Sequence, residues 1–230
     1  MNVTTSRHRI PRATLASAVI ERVKDSVLSG AIVPGTQLNE VELANDYGVS
    51  RGPVRESLQR LVQEGLLVSE PHRGVFVPVL TEADIRDVYV TREALEFAAV
   101  RLILNRGLEA EASRELSRHV ASMVAAEASG DWESVGQHDL AFHVALVHLS
   151  GSTRLHRMFS TVISETRMCL GVLTEAKARA DLVDEHRHIA ELIAAGMRDE
   201  ALNALSKHFD EAIVTLLDRV PQQPTEELER

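Results

Sequence analysis

The stretch Gly48-Val49-Ser50-Arg51-Gly52-Pro53-Val54-Arg55-Glu56-Ser57-Leu58-Gln59-Arg60-Leu61 narrows the fold more than any other part of the chain. Ser50 suits an N-cap, where its hydroxyl can accept from a free backbone N–H of the first turn. Pro53 falls inside that first turn, where a missing N–H costs nothing. Val54, Leu58, Leu61 and Val62 recur at helical spacing and predict one buried stripe. Arg51, Arg55 and Gln59 fall one turn apart on a different face. Arg can contact guanine or phosphate and Gln can contact adenine, so this face suits the major groove of double-stranded DNA. Two ordinary solvated arginines would give the same pattern, and the flanking elements decide between them.

Upstream, Asn39 is a good N-cap and Glu42 stands where it can close a capping box. Leu38 and Leu43 occupy the two positions of a hydrophobic staple, and Gly48 ends the helix. Two helices joined by Tyr47-Gly48-Val49-Ser50 read as helix-turn-helix, with the second as the reading helix. Downstream, Leu66-Leu67-Val68 and Val75-Phe76-Val77 read as strands around the turn Pro71-His72-Arg73-Gly74. That hairpin is a wing, and Arg73 and Gly74 at its tip can approach a phosphate or the minor groove. An earlier helix at about residues 15–29 offers Leu15, Val19, Val23 and Val27 as its core stripe. Residues 11–79 therefore predict a winged helix-turn-helix DNA-binding domain.

A net charge of −9 looks wrong for that role until it is divided along the chain. Residues 1–79 hold nine Lys/Arg against eight Asp/Glu, which leaves 16 against 26 for residues 80–230. The acidic share belongs to the second half, so DNA must be held by a locally basic face on the first. Arg7, Arg9 and Arg12 suggest a flexible arm over residues 1–10. Aromatics at 3% point away from a β-sandwich and toward helices rich in Leu, Ala and Val. The single cysteine, Cys169, excludes a disulfide framework within one chain. No apolar run is long enough to span a membrane and no signal peptide is evident, so a cytoplasmic protein is expected.

Thr81, with Asp84 three residues later, opens a second capping box directly after Pro78-Val79-Leu80. From there the pattern is helical throughout: 81–105 (with a break near Thr91 left open), 109–128, 131–149, 153–173, 176–195 and 198–220. Gly107, Gly130, Gly151 and Gly196 supply breaks between segments. Six helices on short loops predict an all-α antiparallel bundle over 80–220, followed by a polar tail at 221–230. The fold class expected is mainly α, with the wing as its only β-structure.

The chemistry of the bundle lies in its histidines. Asp139 and His143 are four apart on one helix and project from the same face. His186 lies about nine residues before the loop at Ala195-Gly196-Met197 and His208 about ten after it. At about 1.5 Å per residue the two come level in an antiparallel hairpin. One carboxylate and three imidazoles converging inside a bundle suit a divalent metal ion: zinc, nickel or manganese. With ten histidines in the chain, one such helical pair can arise by chance, and the matching register of His186 with His208 is what strengthens the reading.

Residues 11–79 resemble the N-terminal winged helix of the GntR transcriptional regulators. The likeness rests on Leu28-Ser29-Gly30, Pro34-Gly35, Leu43-Ala44, Val49-Ser50-Arg51, Pro53-Val54-Arg55-Glu56, Glu64-Gly65-Leu66-Leu67 and Arg73-Gly74. It implies operator contacts from Arg51 and Arg55, with Gly74 close to DNA. Some members carry an arginine on the second helix where this chain has Val41. Residues 81–219 resemble the FCD domain of the FadR branch, and more closely its six-helix, VanR-like subgroup. Arg92 with Leu95-Glu96, Asp139 with Phe142-His143, Gly151-Ser152, Glu185-His186 and His208 carry that match. The resemblance implies metal ligation by Asp139, His143, His186 and His208. It also implies that Arg92 holds the carboxylate of an organic-acid effector. An i+4 salt bridge to Glu96 is the plainer alternative for Arg92.

Together these readings predict a homodimeric repressor on a palindromic operator, controlled by a small carboxylate effector, and not an enzyme. Two other readings stay open at this stage: a metal-dependent hydrolase or lyase with a DNA-binding head, and a sensor of the metal ion itself.

Overall fold

The computed structural model describes residues 12–171 and 181–218. The arm, the tail and residues 176–180 of the expected helix 176–195 lie outside the described residues; Asp181, inside that expected helix, is instead the N-cap of a helix that starts at Leu182. The chain divides into two compact units between Val79 and Leu80.

The first unit opens with α1 (Arg12–Leu28), which buries Ala16, Val19, Ile20, Val23 and Val27, a broader stripe than the sequence pattern alone marks. A two-residue strand, β1 (Gln37–Leu38), precedes α2 (Glu40–Asp46) and α3 (Arg51–Gln63). Leu38 and Leu43 are both buried, in agreement with the staple. Asn39 caps α2 by accepting from Val41 N–H at 2.8 Å; Glu42 reaches the Asn39 side-chain amide at 3.4 Å. Ser50 sits at the N-cap of α3 in extended conformation but makes no side-chain capping bond. Gly48 takes φ +65 at the turn, a left-handed conformation that a side chain would strain. Val54, Leu58 and Leu61 are fully buried, each contributing about 1.5–3 kcal/mol, while Val62 is only half-buried. Ser57 is buried too, and its single hydroxyl proton lies between two carbonyls, that of Ala16 of α1 at 2.9 Å and that of Pro53 at 2.7 Å.

The first wing strand lies later than the apolar run suggests, with β2 at Val68–Glu70, whereas the second lies one residue earlier, with β3 at Gly74–Phe76. Leu66 and Leu67 instead turn inward after α3, where both are buried and both N–H groups bond to the Leu61 carbonyl. The sheet order is β1-β3-β2, antiparallel throughout, with Phe76 opposite both Gln37 and Val68.

The second unit contains six helices among the described residues: α4 (Glu82–Asn105), α5 (Glu109–Ser129), α6 (Trp132–Leu149), α7 (Thr153–Gly171), α8 (Leu182–Ala194) and α9 (Arg198–Leu217). The Thr81–Asp84 capping box is formed in both directions, and α4 runs through Thr91 unbroken. Asp131 caps α6, which begins at Trp132, the chain's single tryptophan. Helix α4 packs against α6, α7 and α9, while α5 packs against α6 and α8. Residues from all six helices share one apolar core, among them Ile103, Leu116, Phe142, Phe159, Ile189 and Leu205. No helix among the described residues is long and apolar enough to cross a membrane.

Candidate functional site

Helix α3 carries Arg51, Arg55 and Gln59 on one exposed face, opposite its buried stripe. Both arginines lean onto a carboxylate that sequence reasoning passed over, Glu40 at the start of α2. Val41 beside it is exposed and offers no charge. At the wing, Arg73 pairs with Glu70 and lies 5.2 Å over the Phe76 ring. Gly74 has φ +111, and a Cβ there would stand 3.0 Å from the Gln37 amide nitrogen, so the wing itself requires glycine at this position.

In the second unit, Asp139 and His143 of α6 meet His186 of α8 and His208 of α9. Their ligand atoms all lie within 4.8 Å of one another, and all four residues are buried. The outer nitrogen of each ring is committed. His143 Nδ1 donates to Glu96 Oε2 at 2.6 Å, His186 Nδ1 to the Leu182 carbonyl at 2.8 Å, and His208 Nδ1 to Glu185 Oε2 at 2.8 Å. Because each partner can only accept, each ring carries its proton on Nδ1 and turns the lone pair of Nε2 inward. Nε2 of His186 then lies 3.3 Å from Nε2 of His143 and 2.9 Å from Asp139 Oδ1. Lone pairs held this close repel. One proton relieves a single contact, whereas a cation at the centre relieves them all. Donors bound at about 2.0–2.1 Å stand roughly 3.3 Å apart in a tetrahedron. The ligand atoms here lie within 4.8 Å of one another, with pairs at 2.9 Å, 3.3 Å and 3.9 Å, so the donor set suits a divalent ion that draws the wider pairs together.

The electrostatics agree. Burial opposes ionisation of Asp139, and positive charge at His186, then at His143 and His208, is what holds its carboxyl well below the usual range; with the rings neutral, a cation among them has to supply that charge. Burial also lowers the pKa of His143 and, with its two imidazole neighbours, pushes His208 far down, so both rings favour the neutral form that ligates. Edge-on contact with Phe142 keeps the His186 ring in place at 4.8 Å between centroids.

Arg92 sits beside this cluster on α4, only 2% exposed, between the rings of Tyr89 (5.0 Å) and Phe209 (4.8 Å). Its Nε donates to Glu96 Oε1 at 3.1 Å, so the i+4 salt bridge is present. That bridge does not satisfy the guanidinium, because Nη2 is buried with no hydrogen-bond partner among the described residues. Glu96 thus joins Arg92 to His143 through one carboxylate. Burial disfavours its charge, yet His143 and Arg92 keep it ionised. Neither Glu96 nor Glu185 was singled out for this role from sequence; Glu96 entered only as the i+4 partner of Arg92, and Glu185 only as the neighbour of His186.

Comparison with known proteins matches residues 15–77 to the model for bacterial regulatory proteins of the gntR family and residues 87–211 to the FCD domain. Among relatives, the Nta operon transcriptional regulator of Aminobacter aminovorans is 32% identical, over 78% of this chain and 86% of that one. The gluconate operon transcriptional repressor of Bacillus licheniformis is 27% identical, over 88% and 85%. A GntR crystal structure from Rhodococcus sp. RHA1 superposes with a TM-score of 0.75 at 26% identity, covering 90% of this chain and 100% of that one. These families and relatives are transcriptional regulators rather than enzymes. The chain belongs to the GntR family of bacterial transcriptional regulators, with an FCD domain behind its winged helix.

Proposed function

We propose that this regulator is a homodimeric repressor whose hold on a palindromic operator is released when a small organic acid binds in the FCD bundle. The observation that carries the reading is the pairing of an inward-facing donor set with a buried, half-satisfied guanidinium. Asp139, His143, His186 and His208 would hold a divalent ion, which supplies open coordination positions for the carboxylate or hydroxyl oxygens of an effector. Arg92, linked to the cluster through Glu96, offers an Nη2 without a partner among the described residues to an anionic oxygen, a charge-assisted hydrogen bond in a dry setting. Glu96 keeps Arg92 oriented and charged while fixing the tautomer of His143. Metal and effector contacts are therefore coupled through one side chain. An effector shifts the regulator only by binding one of its states better than the other, so DNA release is the required readout.

Arg51, Arg55 and Gln59 read base edges in this proposal, and Arg73 with Gly74 flanks the backbone from the wing. Hydrolysis is the weaker reading. The two carboxylates nearest the donor set, Glu96 and Glu185, are each engaged by a histidine Nδ1 and are poorly placed to act as a general base.

The test is a melting-temperature screen of sugar acids, hydroxy acids and dicarboxylates on zinc-loaded and chelator-stripped protein, followed by operator release. At least one acid should raise the melting temperature of loaded protein and dissociate it from DNA. Arg92→Ala should abolish both effects. Equal responses with and without metal would overturn the metal's part, and equal responses in Arg92→Ala would overturn the arginine's.

A further inference from the structure

The arginines of the recognition helix are not independent side chains. Glu40 is the first residue of α2, where an acid complements the helix N-terminus. Instead of facing water, its carboxylate turns onto α3. Arg55 Nε donates to Oε1 at 3.0 Å and to Oε2 at 3.2 Å, and Arg55 Nη2 donates to Oε2 at 2.9 Å. Arg51 Nη2 reaches the same Oε2 at 3.3 Å. Both arginines remain more than half exposed, while the Glu40 side chain is 28% exposed. An exposed ion pair contributes little to stability, so this three-residue cluster needs another account.

We propose that Glu40 is a positioning residue that sets operator specificity, by clamping Arg55 and Arg51 in a fixed reading geometry while removing half of their net charge. This rests on the reading of α3 as the recognition helix. The clamp takes the Nε–Nη2 edge of Arg55 and leaves the Nη1–Nη2 end, whose two parallel N–H groups match guanine O6 and N7. A guanidinium fixed in advance loses less rotamer freedom when it docks. The cluster carries a net charge of one rather than two, so its attraction for any phosphate falls while its directional fork is kept. Phosphate attraction is indifferent to sequence, and the fork is not. Glu40 therefore moves the balance from general affinity toward discrimination.

The experiment uses full-length protein and a consensus duplex selected by the wild type from a random-sequence pool, with a scrambled duplex of the same composition. Both are titrated over a salt series with wild type, Glu40→Gln, Glu40→Asp, Arg51→Ala and Arg55→Ala. Glu40→Gln should bind the scrambled duplex more tightly, steepen the salt dependence by about one charge per head, and reduce the consensus-to-scrambled ratio about fivefold or more. Glu40→Asp keeps the charge but withdraws the clamp by one methylene. It should keep the wild-type salt slope and still lose part of the ratio. An unchanged ratio in Glu40→Gln overturns the proposal, including the case where both affinities rise equally and Glu40 merely offsets charge. If Arg51→Ala and Arg55→Ala also bind the consensus like wild type, the recognition-helix reading itself fails. If they weaken it and Glu40→Gln is silent, only the clamp fails.

Discussion

Three acceptors behind three imidazoles decide what the FCD cluster can hold. Glu96, the Leu182 carbonyl and Glu185 each fix a proton on Nδ1, and the inward nitrogens are left for a ligand. Purified protein should carry about one divalent ion per chain by elemental analysis, since the described residues form one such donor set. His143→Ala, His186→Ala and His208→Ala should each lose most of it. Glu96→Gln should weaken metal binding by about 10- to 100-fold, as loss of an orienting partner does at such sites. Full occupancy in two of the three histidine variants would refute the site. The four inner residues were legible in the sequence because helical phase and hairpin length are local rules. Glu96 was not legible in its role, because its partner His143 is 47 residues away on another helix. The clamp at Glu40 escaped for the same reason: nothing in the spacing of α2 says which way an N-terminal carboxylate will turn.

At the scale of single elements, the capping box of α4 is the clearest lever. Thr81 Oγ1 accepts from the Asp84 N–H at 3.2 Å, and the Asp84 carboxylate accepts from Thr81 N–H at 2.8 Å and from its hydroxyl at 2.6 Å. Thr81→Ala should cost about 1 kcal/mol in chemical denaturation. The Thr81 hydroxyl and N–H hold the Asp84 carboxyl below its ordinary range. Its contribution is therefore fully present above the unfolded value of about 3.9 and is lost as pH falls through the lower folded value. The stability difference between wild type and Asp84→Asn should shrink over that acid window; a gap that persists unchanged would contradict the assignment. Helix limits followed closely from caps and glycines, as the unbroken periodicity of α5, α6 and α9 shows. The short β elements did not. Two residues make β1, too few for any alternation, and the apolar pair Leu66-Leu67 imitates a strand while serving to seal α3.

For the whole molecule, charge and reach set the expectations. With the acidic excess confined to residues 80–230, the proposed reading face of one winged helix offers two or three side chains. That covers too few base pairs for useful discrimination, so two heads on a symmetric site are expected. Sedimentation should give the mass of two chains both free and on the selected duplex. A monomer in both states would contradict the proposed assembly.

Helix α6 begins with the chain's only indole, Trp132, 43% exposed and on the same helix as Asp139 and His143. Its emission thus reports from the half that carries the histidine cluster. Far-ultraviolet dichroism, in contrast, sums helices from both halves. Denaturation followed by both signals asks whether the two cores melt as one cooperative body. Separate midpoints, with zinc shifting the indole curve alone, are expected for halves with separate cores, because a ligand stabilises the part that binds it. Superimposed curves that move together on adding zinc would mean that the grip of the bundle on its ion is felt energetically in the half that meets DNA.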